Sequence, residues 1–463
     1  MISRLGCASL VLGLLVTASA FAAESDPLPE RLAIEHVTVL SMNDAGAVLP
    51  DMTVLVDEGR IVSMGPASSI RVPQGAKRID GRDKWLMPGL TDMHAHIGNA
   101  RMLRLYLNLP ELKASTIRTE DLLTPFLANG VVRIMDMQAM SETIGQRSEI
   151  EAGRLLGPQI IAAAMIDGSK PHWPVGTTRV AATADDGRQA VRDAGAEGYD
   201  VIKVYSGLSF ETFSAIVDEA RRLKLPVVGH IPERRSGRTK EFFQPGFALV
   251  AHAEEFAQQT AEPSVTAIPQ YVEMMKQNGA WLTATLSLDE RLLEQTMNPR
   301  SLHNRPELRV LTPLMRDMVL NRNPYVAIAS PERIEFLRQI VEFNRELVGA
   351  FVAADIPVLA GTDAPVPGVA PGFSMHDELE ALTRAGMSNR QALEAATRRP
   401  CEWLRLQSEC GTVEAGKRAD LLLLDADPLV DISHSRRIAA VILGGRYLSR
   451  AMLDRRMKEL AAR

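Results

Sequence analysis

Two kinds of hydrophobic pattern divide the chain. Near the N-terminus, Ile34 to Leu40, Thr53 to Val56 and Arg60 to Met64 are short runs with β-branched alternation. A period of two predicts half-buried strands, and Asp57-Glu58-Gly59 predicts a hairpin turn. Near the C-terminus, Asp420 followed by four leucines to Leu424 predicts a buried strand. Ala439 to Leu443 and then Gly444-Gly445 predict a strand and a turn. Residues 32–85 and 411–449 are therefore expected to be β-rich. Two such ends around one central block are expected to pair into a single small domain.

The central block alternates differently. Apolar runs occur at Leu86 to His94, Val131 to Ile134, Gln159 to Met165, Val201 to Tyr205, Val227 to His230, Leu249 to His252, Trp281 to Leu286 and Val358 to Thr362. Between them lie segments of helical period, such as Phe210 to Leu223 and His376 to Ala385. Alternating β and α predicts a parallel sheet, and eight repeats predict a closed (β/α)8 TIM barrel. The expected organisation is α/β: a barrel over 86–400, a β-sandwich built from 24–85 and 401–450, and a C-terminal helix or tail over 451–463. The polar, mostly helical stretch from about 288 to 347 falls between strands seven and eight. It is expected either to cover the barrel mouth or to decorate the surface.

Composition narrows the class. A chain of 463 residues that is 46% hydrophobic can build a full core and exceeds one minimal domain. The net charge of −5, with both signs mixed, lacks the basic clusters of a nucleic-acid binder. Residues 1–23 stand apart: Arg4, an apolar run from Leu10 to Val16, then Ala20-Phe21-Ala22. The run is too short to span a bilayer, and the pattern reads as a cleaved signal peptide. Export is expected, with a Gram-negative periplasm as the destination. Arg4-Leu5-Gly6 before Cys7 is a poor lipidation signal. No later stretch is long and apolar enough for a stable membrane span. Beyond residue 23 the cysteines are Cys401 and Cys410. An exported protein can keep a disulfide, but a helix is expected between the two, so their pairing is left open. Two cysteines cannot build a thiolate zinc cluster. A metal would have to sit on histidine, carboxylate or a modified lysine.

Barrel enzymes carry their chemistry at the C-terminal ends of the strands. The first run ends in Asp92-Met93-His94-Ala95-His96. Residues two apart in a strand point the same way, so His94 and His96 can grip one ion together. Lys203, flanked by Ile202 and Val204, is oddly placed for a solvated charge, although a lysine at the rim can snorkel outward. The fifth run ends in Gly229-His230, the sixth in Ala251-His252, and the eighth in Gly361-Thr362-Asp363-Ala364. Tyr205, two after Lys203, should face the same way and is a candidate for binding a substrate carboxylate. Arg234 and Arg235 are candidates for an anionic substrate end, or a solvated loop. His376 is placed to orient substrate or to cap the next helix. Glu254-Glu255 read as partners of the histidines or as loop charge.

Three motifs carry a family resemblance. They are Met87-Pro88-Gly89-Leu90-Thr91-Asp92-Met93-His94-Ala95-His96, Ala360-Gly361-Thr362-Asp363-Ala364, and the run from Gly411 through Gly416 to Asp420. The chain resembles the amidohydrolase superfamily over nearly its whole length past residue 23, closest to its imidazolonepropionase-like and prolidase-like branch. The resemblance implies two divalent metal ions. His94, His96 and Asp363 would hold one, and His230 and His252 the other, with an N-carboxylated Lys203 bridging them. Such ligands suit zinc, and manganese, cobalt and iron fit as well. It also implies hydrolysis of a C–N amide bond in a dipeptide, an N-acyl amino acid or a cyclic amide. A metal-bound hydroxide would attack and Asp363 would act as general base. In related members a histidine near the position of His172, in the loop after strand three, polarises the substrate carbonyl.

The expected partner is a small molecule or short peptide, and homo-oligomer formation is left open. His230-Ile231-Pro232-Glu233 resembles the His-x-x-Glu of one-metal deaminases, in which the glutamate shuttles protons. Lys203 weighs against that alternative, because those deaminases lack a strand-four lysine ligand. A lactonase or esterase would use the same site, since the metal acts on the carbonyl. A non-catalytic binding protein would need a broken ligand set, which this chain does not have.

Overall fold

The structure is a computed structural model that describes residues 31–97, 118–174 and 176–463. The expected signal segment lies outside these residues. Eight parallel strands form the barrel of the central sheet: Leu90–Ala95, Val131–Asp136, Gln159–Asp167, Val201–Val204, Val227–Gly229, Phe247–Ala251, Trp281–Thr283 and Val358–Leu359, with the short Arg179–Val180 paired to the third. The ring closes through a parallel bridge between Ala95 and Ala364. Met93 N donates to Ala360 O at 3.0 Å and His96 N to Ala364 O at 2.7 Å across the same seam. Met93, Met135, Val201, Val228, Leu249 and Leu359 fill the barrel interior. That inward apolar set explains why the strands read as nearly continuous hydrophobic runs.

The second sheet joins both ends of the chain. Leu32–Leu40, Val48–Asp57, Arg60–Pro66, Lys77–Asp80 and Trp85–Pro88 come from one end. Leu421–Leu424, Ile438–Leu443 and Arg446–Ser449 come from the other. Trp85–Pro88 is where they meet: it runs parallel to the first strand and antiparallel to Leu421–Leu424. Val37, Val54, Ile61, Leu86, Leu421 and Ile442 share one apolar core, so neither end buries its inner face alone. The expected hairpin is present, with Asp57 opposite Arg60. Glu58 and Gly59 both take positive φ, 47° and 76°, as a two-residue turn between right-twisted strands requires.

Three local expectations are corrected. The run from Leu86 to His94 is two strands, because the chain passes at Gly89 from the second sheet into the barrel. A Cβ there would stand 2.4 Å from Val132 Cγ2. The run from Trp281 to Leu286 stops as a strand at Thr283, and the helix Leu286–Met297 begins just beyond it. No helix runs the length between Cys401 and Cys410: Arg398–Trp403 ends early and the chain doubles back. The two cysteines form a disulfide with Cα atoms 5.9 Å apart.

The segment between strands seven and eight folds as helices Leu286–Met297, Pro313–Leu320, Pro324–Ala327 and Pro331–Ala353. It is tied down. Glu378, on the helix Phe373–Arg384, accepts from Leu286 N and Ser287 N at 3.1 and 2.7 Å, capping the first insert helix from outside. Gln295 Nε2 donates to Pro367 O at 3.0 Å, and Arg305 Nη1 to Gly368 O at 2.9 Å. These bonds lock the insert onto the loop after strand eight. Among the described residues, no helix is long and apolar enough to cross a membrane.

Candidate metal centre and its cavity

The C-terminal strand ends bring the predicted ligands together. His94 Nε2 and His96 Nε2 converge on one atom, Asp363 Oδ1, at 3.2 and 2.8 Å. Ligand atoms of His94, His252 and Asp363 all lie within 4.8 Å of one another. The rings of His94 and His252 are 4.3 Å apart by centroid, and those of His230 and His252 are 5.2 Å apart. Lys203 is buried among them, 2% exposed. Five strand ends far apart in sequence thus bring imidazole, carboxylate and amine together at one end of the barrel.

His252 and His230 are each aimed by a second group, as metal-binding histidines usually are. His252 Nδ1 meets Thr285 Oγ1 at 2.9 Å, which leaves Nε2 for an ion. His230 Nδ1 lies 2.9 Å from both Glu255 Oε1 and Ser206 Oγ, which again leaves Nε2. Asp92, fully buried, bridges the seam: Oδ1 accepts from His94 N at 3.1 Å and Thr362 N at 3.0 Å, and Oδ2 from Thr362 Oγ1 at 2.6 Å. His252 and Asp363 sit at φ of 78° and 61°, a region non-glycine residues avoid. Such backbone strain concentrates at functional sites, where the surroundings hold it.

Two glycines permit the close approach. A Cβ on Gly229 would stand 2.1 Å from Val204 O, and its φ of 134° is open essentially to glycine alone. A Cβ on Gly361 would stand 2.9 Å from His94 N.

Electrostatics set these groups in ligand form. Burial, helped by Lys203, drives His94 down to about 3. Burial also lowers His230 and His252. Neutral imidazole is the form that binds a cation. Burial pushes Asp363 up, but His94 and His96 outweigh it and hold the carboxylate well below its ordinary range. Burial lowers Lys203 to about 8, so an appreciable part is free amine near neutral pH. Buried His94 Nδ1 and His96 Nδ1 have no hydrogen-bond partner. A convergent set of neutral imidazoles and a carboxylate fits a divalent ion, zinc included.

The ligands open into a cavity of about 830 Å3 lined by His96, His230, His252 and Asp363. Tyr205 lines it too, its ring 4.0 Å from that of His230, as does Trp173. Arg234 lines it while donating to Glu255 Oε1 at 2.7 Å. His172 is exposed beside the mouth, its ring 5.4 Å from Tyr205 and its Nδ1 3.2 Å from Asp167 Oδ2.

His376 does not reach this cavity. It is buried, with Nδ1 2.9 Å from Ser435 Oγ and Nε2 3.1 Å from Asn129 O, so both nitrogens serve the packing between helices. Glu233 is turned away as well. Its Oε1 accepts from Phe210 N at 2.9 Å, capping the helix Phe210–Arg222, and its Oε2 meets Arg238 Nη1 at 3.3 Å. A proton shuttle at Glu233 has no geometric support.

Sequence reasoning missed the cavity's other walls: Asp289, Tyr325, Arg333 and Phe336, all from the insert. No spacing signalled them, because insert helices reach the site only through their tertiary placement.

Comparison with known proteins agrees with the geometry. The profile described as the Amidohydrolase family matches residues 85–448. The chain belongs to the amidohydrolase family. A structure from Bifidobacterium longum described as a candidate prolidase is 25% identical, with a TM-score of 0.71, over 94% of this chain and 100% of that one. A Xaa-Pro dipeptidase with bound methionine has a TM-score of 0.69 at 20% identity, over 90% of this chain and 100% of the other. That second likeness is one of fold. Among curated relatives, a 5-methylthioadenosine/S-adenosylhomocysteine deaminase of Symbiobacterium thermophilum is 43% identical over 14% of this amidohydrolase chain. An imidazolonepropionase of Stenotrophomonas maltophilia is 36% identical over 13%. The matched stretches span only 15% and 16% of those two proteins.

Proposed function

We propose that this amidohydrolase cleaves a C–N amide bond of a small molecule or short peptide at a centre of two divalent ions. The observation that carries the reading is the convergence of His94 and His96 on Asp363 Oδ1, beside buried Lys203 and the His230–His252 pair. His94, His96 and Asp363 would hold one ion, His230 and His252 the other, and Lys203, N-carboxylated, would bridge them. Zinc suits the donor set. When bound, the ions polarise the scissile carbonyl and acidify water.

The chain's own residues do the remaining work. The Asp363 carboxylate takes the proton of the attacking water and passes it to the leaving amine nitrogen. Tyr205 and Arg234 line the side of the cavity suited to an anionic substrate end, and Trp173 closes it. His172, its ring 5.4 Å from that of Tyr205, would approach the substrate carbonyl from the loop. The apolar opposite wall limits water. Residues 1–23 support export to a periplasm.

The test is metal content per chain, measured beside hydrolysis of dipeptides and N-acyl amino acids, for the parent and Lys203→Ala. Two ions in the parent, one or none in the variant, and activity lost on chelation are expected. One ion that is indifferent to losing Lys203 would overturn the two-metal reading.

A further inference from the structure

The cavity is divided by chemistry. Its barrel side presents Tyr205, Arg234, Arg235, Glu254 and the metal-site residues. Its other side, built by the insert, presents Leu288, Leu292, Met318, Phe336, Leu337 and Ile340. Three ionisable groups interrupt that apolar wall: Asp289, Tyr325 and Arg333. Asp289 Oδ2 accepts from Asn344 Nδ2 at 2.8 Å while its buried Oδ1 has no partner, and the Arg333 guanidinium lies 5.6 Å from the Phe336 ring centre. The wall is fixed by the Gln295 and Arg305 bonds to the strand-eight loop, so it is formed before anything binds.

We infer that the insert half of the cavity holds a large apolar acyl group, and that the substrate class is N-acyl amino acids with a long or bulky acyl chain. This deepens the hydrolytic reading above and rests on it. About 830 Å3 falls in the upper part of the range for pockets that enclose a drug-sized ligand, roughly 300–1,000 Å3. An acetyl group would leave the apolar wall facing water. A long acyl chain would cover it while its amide carbonyl lies at the metal site. The carboxylate of the amino acid half would then face Tyr205 and Arg234. The balance is simple hydrolysis: water adds across the amide, giving a free carboxylic acid and an amino acid.

The test uses the metal-loaded full chain. Binding of straight-chain carboxylates from acetate to decanoate is measured by calorimetry. kcat/KM is measured for N-acyl-alanines of the same chain lengths. Phe336→Ala and Phe336→Trp are compared with the parent, and the octanoyl-to-acetyl ratio cancels any loss of folded protein. Both affinity and kcat/KM are expected to rise roughly three- to fourfold per methylene until the wall is covered. The ratio is expected to fall in Phe336→Ala and to shift in optimum length in Phe336→Trp. A flat series, or a rise indifferent to both substitutions, would overturn the inference. Rising affinity with no N-acyl-alanine hydrolysed leaves the acyl site standing and sinks the hydrolytic reading instead.

Discussion

Glu255 accepts the Nδ1 proton of His230 at 2.9 Å and thereby decides which nitrogen of that ring faces the barrel. The same carboxylate accepts from Ile231 N at 3.0 Å and Arg234 Nη2 at 2.7 Å, so one side chain holds a predicted ligand, its backbone neighbour and a cavity-lining arginine. Burial opposes the charge on Glu255, but His230 and Arg234 pull it from 4.5 to about 2. His230 itself is neutral near pH 7, so the charge that keeps Glu255 ionised comes chiefly from Arg234.

Glu255→Gln should therefore lose stability with a defined pH signature. A carboxyl depressed on folding stabilises fully above its unfolded pKa and loses that stabilisation as pH falls through its folded value. Here the window runs from 4.5 down to about 2, and the contribution is at most about 3 kcal/mol near pH 7. Urea midpoints of parent and variant, followed from pH 7 to pH 3, should converge as pH drops. A constant gap would locate the effect in packing and not in charge.

Gly229→Ala tests the close approach beneath His230. The added methyl would meet the Val204 carbonyl oxygen at 2.1 Å, and backbone cannot swing aside as a long side chain can. With a φ of 134° the position is also strained for alanine. A loss of about 1–3 kcal/mol or more is expected, with weaker metal retention, since His230 is the next residue. Dialysis against graded chelator reads the second effect. Unchanged retention at full folding would show that the strands relax without moving the ligand.

The Cys401–Cys410 bridge closes a short loop, and neither cysteine lines the cavity. Closing such a loop restricts the unfolded chain and is worth about 2–3 kcal/mol. Cys401→Ser with Cys410→Ser should lower the thermal midpoint by several degrees and leave kcat/KM intact when assayed well below it. A drop in kcat/KM at low temperature would mean that the bridge tensions the barrel.

What could be read from sequence follows from what is local. Strand periodicity alone puts His94 and His96 on one side, and both do meet Asp363. The crowding at Gly229 and Gly361 was not read from the sequence, because it comes from Val204 and His94 on neighbouring strands. Other features depend on tertiary placement. His376 sits on an amphipathic helix, and only the packing against Asn129 and Ser435 turns its ring away from the mouth. Tyr325 follows Asn323, which donates to Gln295 Oε1 at 2.8 Å, and the helix of Phe336 is tied through Asn344 Nδ2 to Asp289 Oδ2 at 2.8 Å, partners distant in sequence. The break at Gly89 was hidden because both sheets demand the same apolar residues on either side of it.

Asp92 offers the sharpest test of positioning, because it joins the first and eighth strands without touching the cavity. Its two oxygens satisfy three donors: His94 N, Thr362 N and Thr362 Oγ1. Asp92→Ala removes the carboxylate acceptor of His94 N and Thr362 Oγ1, at about 1–3 kcal/mol each, leaves Thr362 N only its 3.1 Å bond to His94 O, and frees the backbone that carries His94 and Asp363. Asp92→Asn keeps the shape and the Oδ1 acceptor, so both backbone bonds persist. Its amide NH2 can donate to Thr362 Oγ1, which already accepts from Ala364 N at 3.2 Å. The alanine variant should lose several kcal/mol and bind less metal, while asparagine restores most of both. A purely structural role would lower stability in both variants in step and leave metal affinity of the folded fraction unchanged. Titrating metal into chelator-stripped protein, with circular dichroism to measure that fraction, separates the two outcomes.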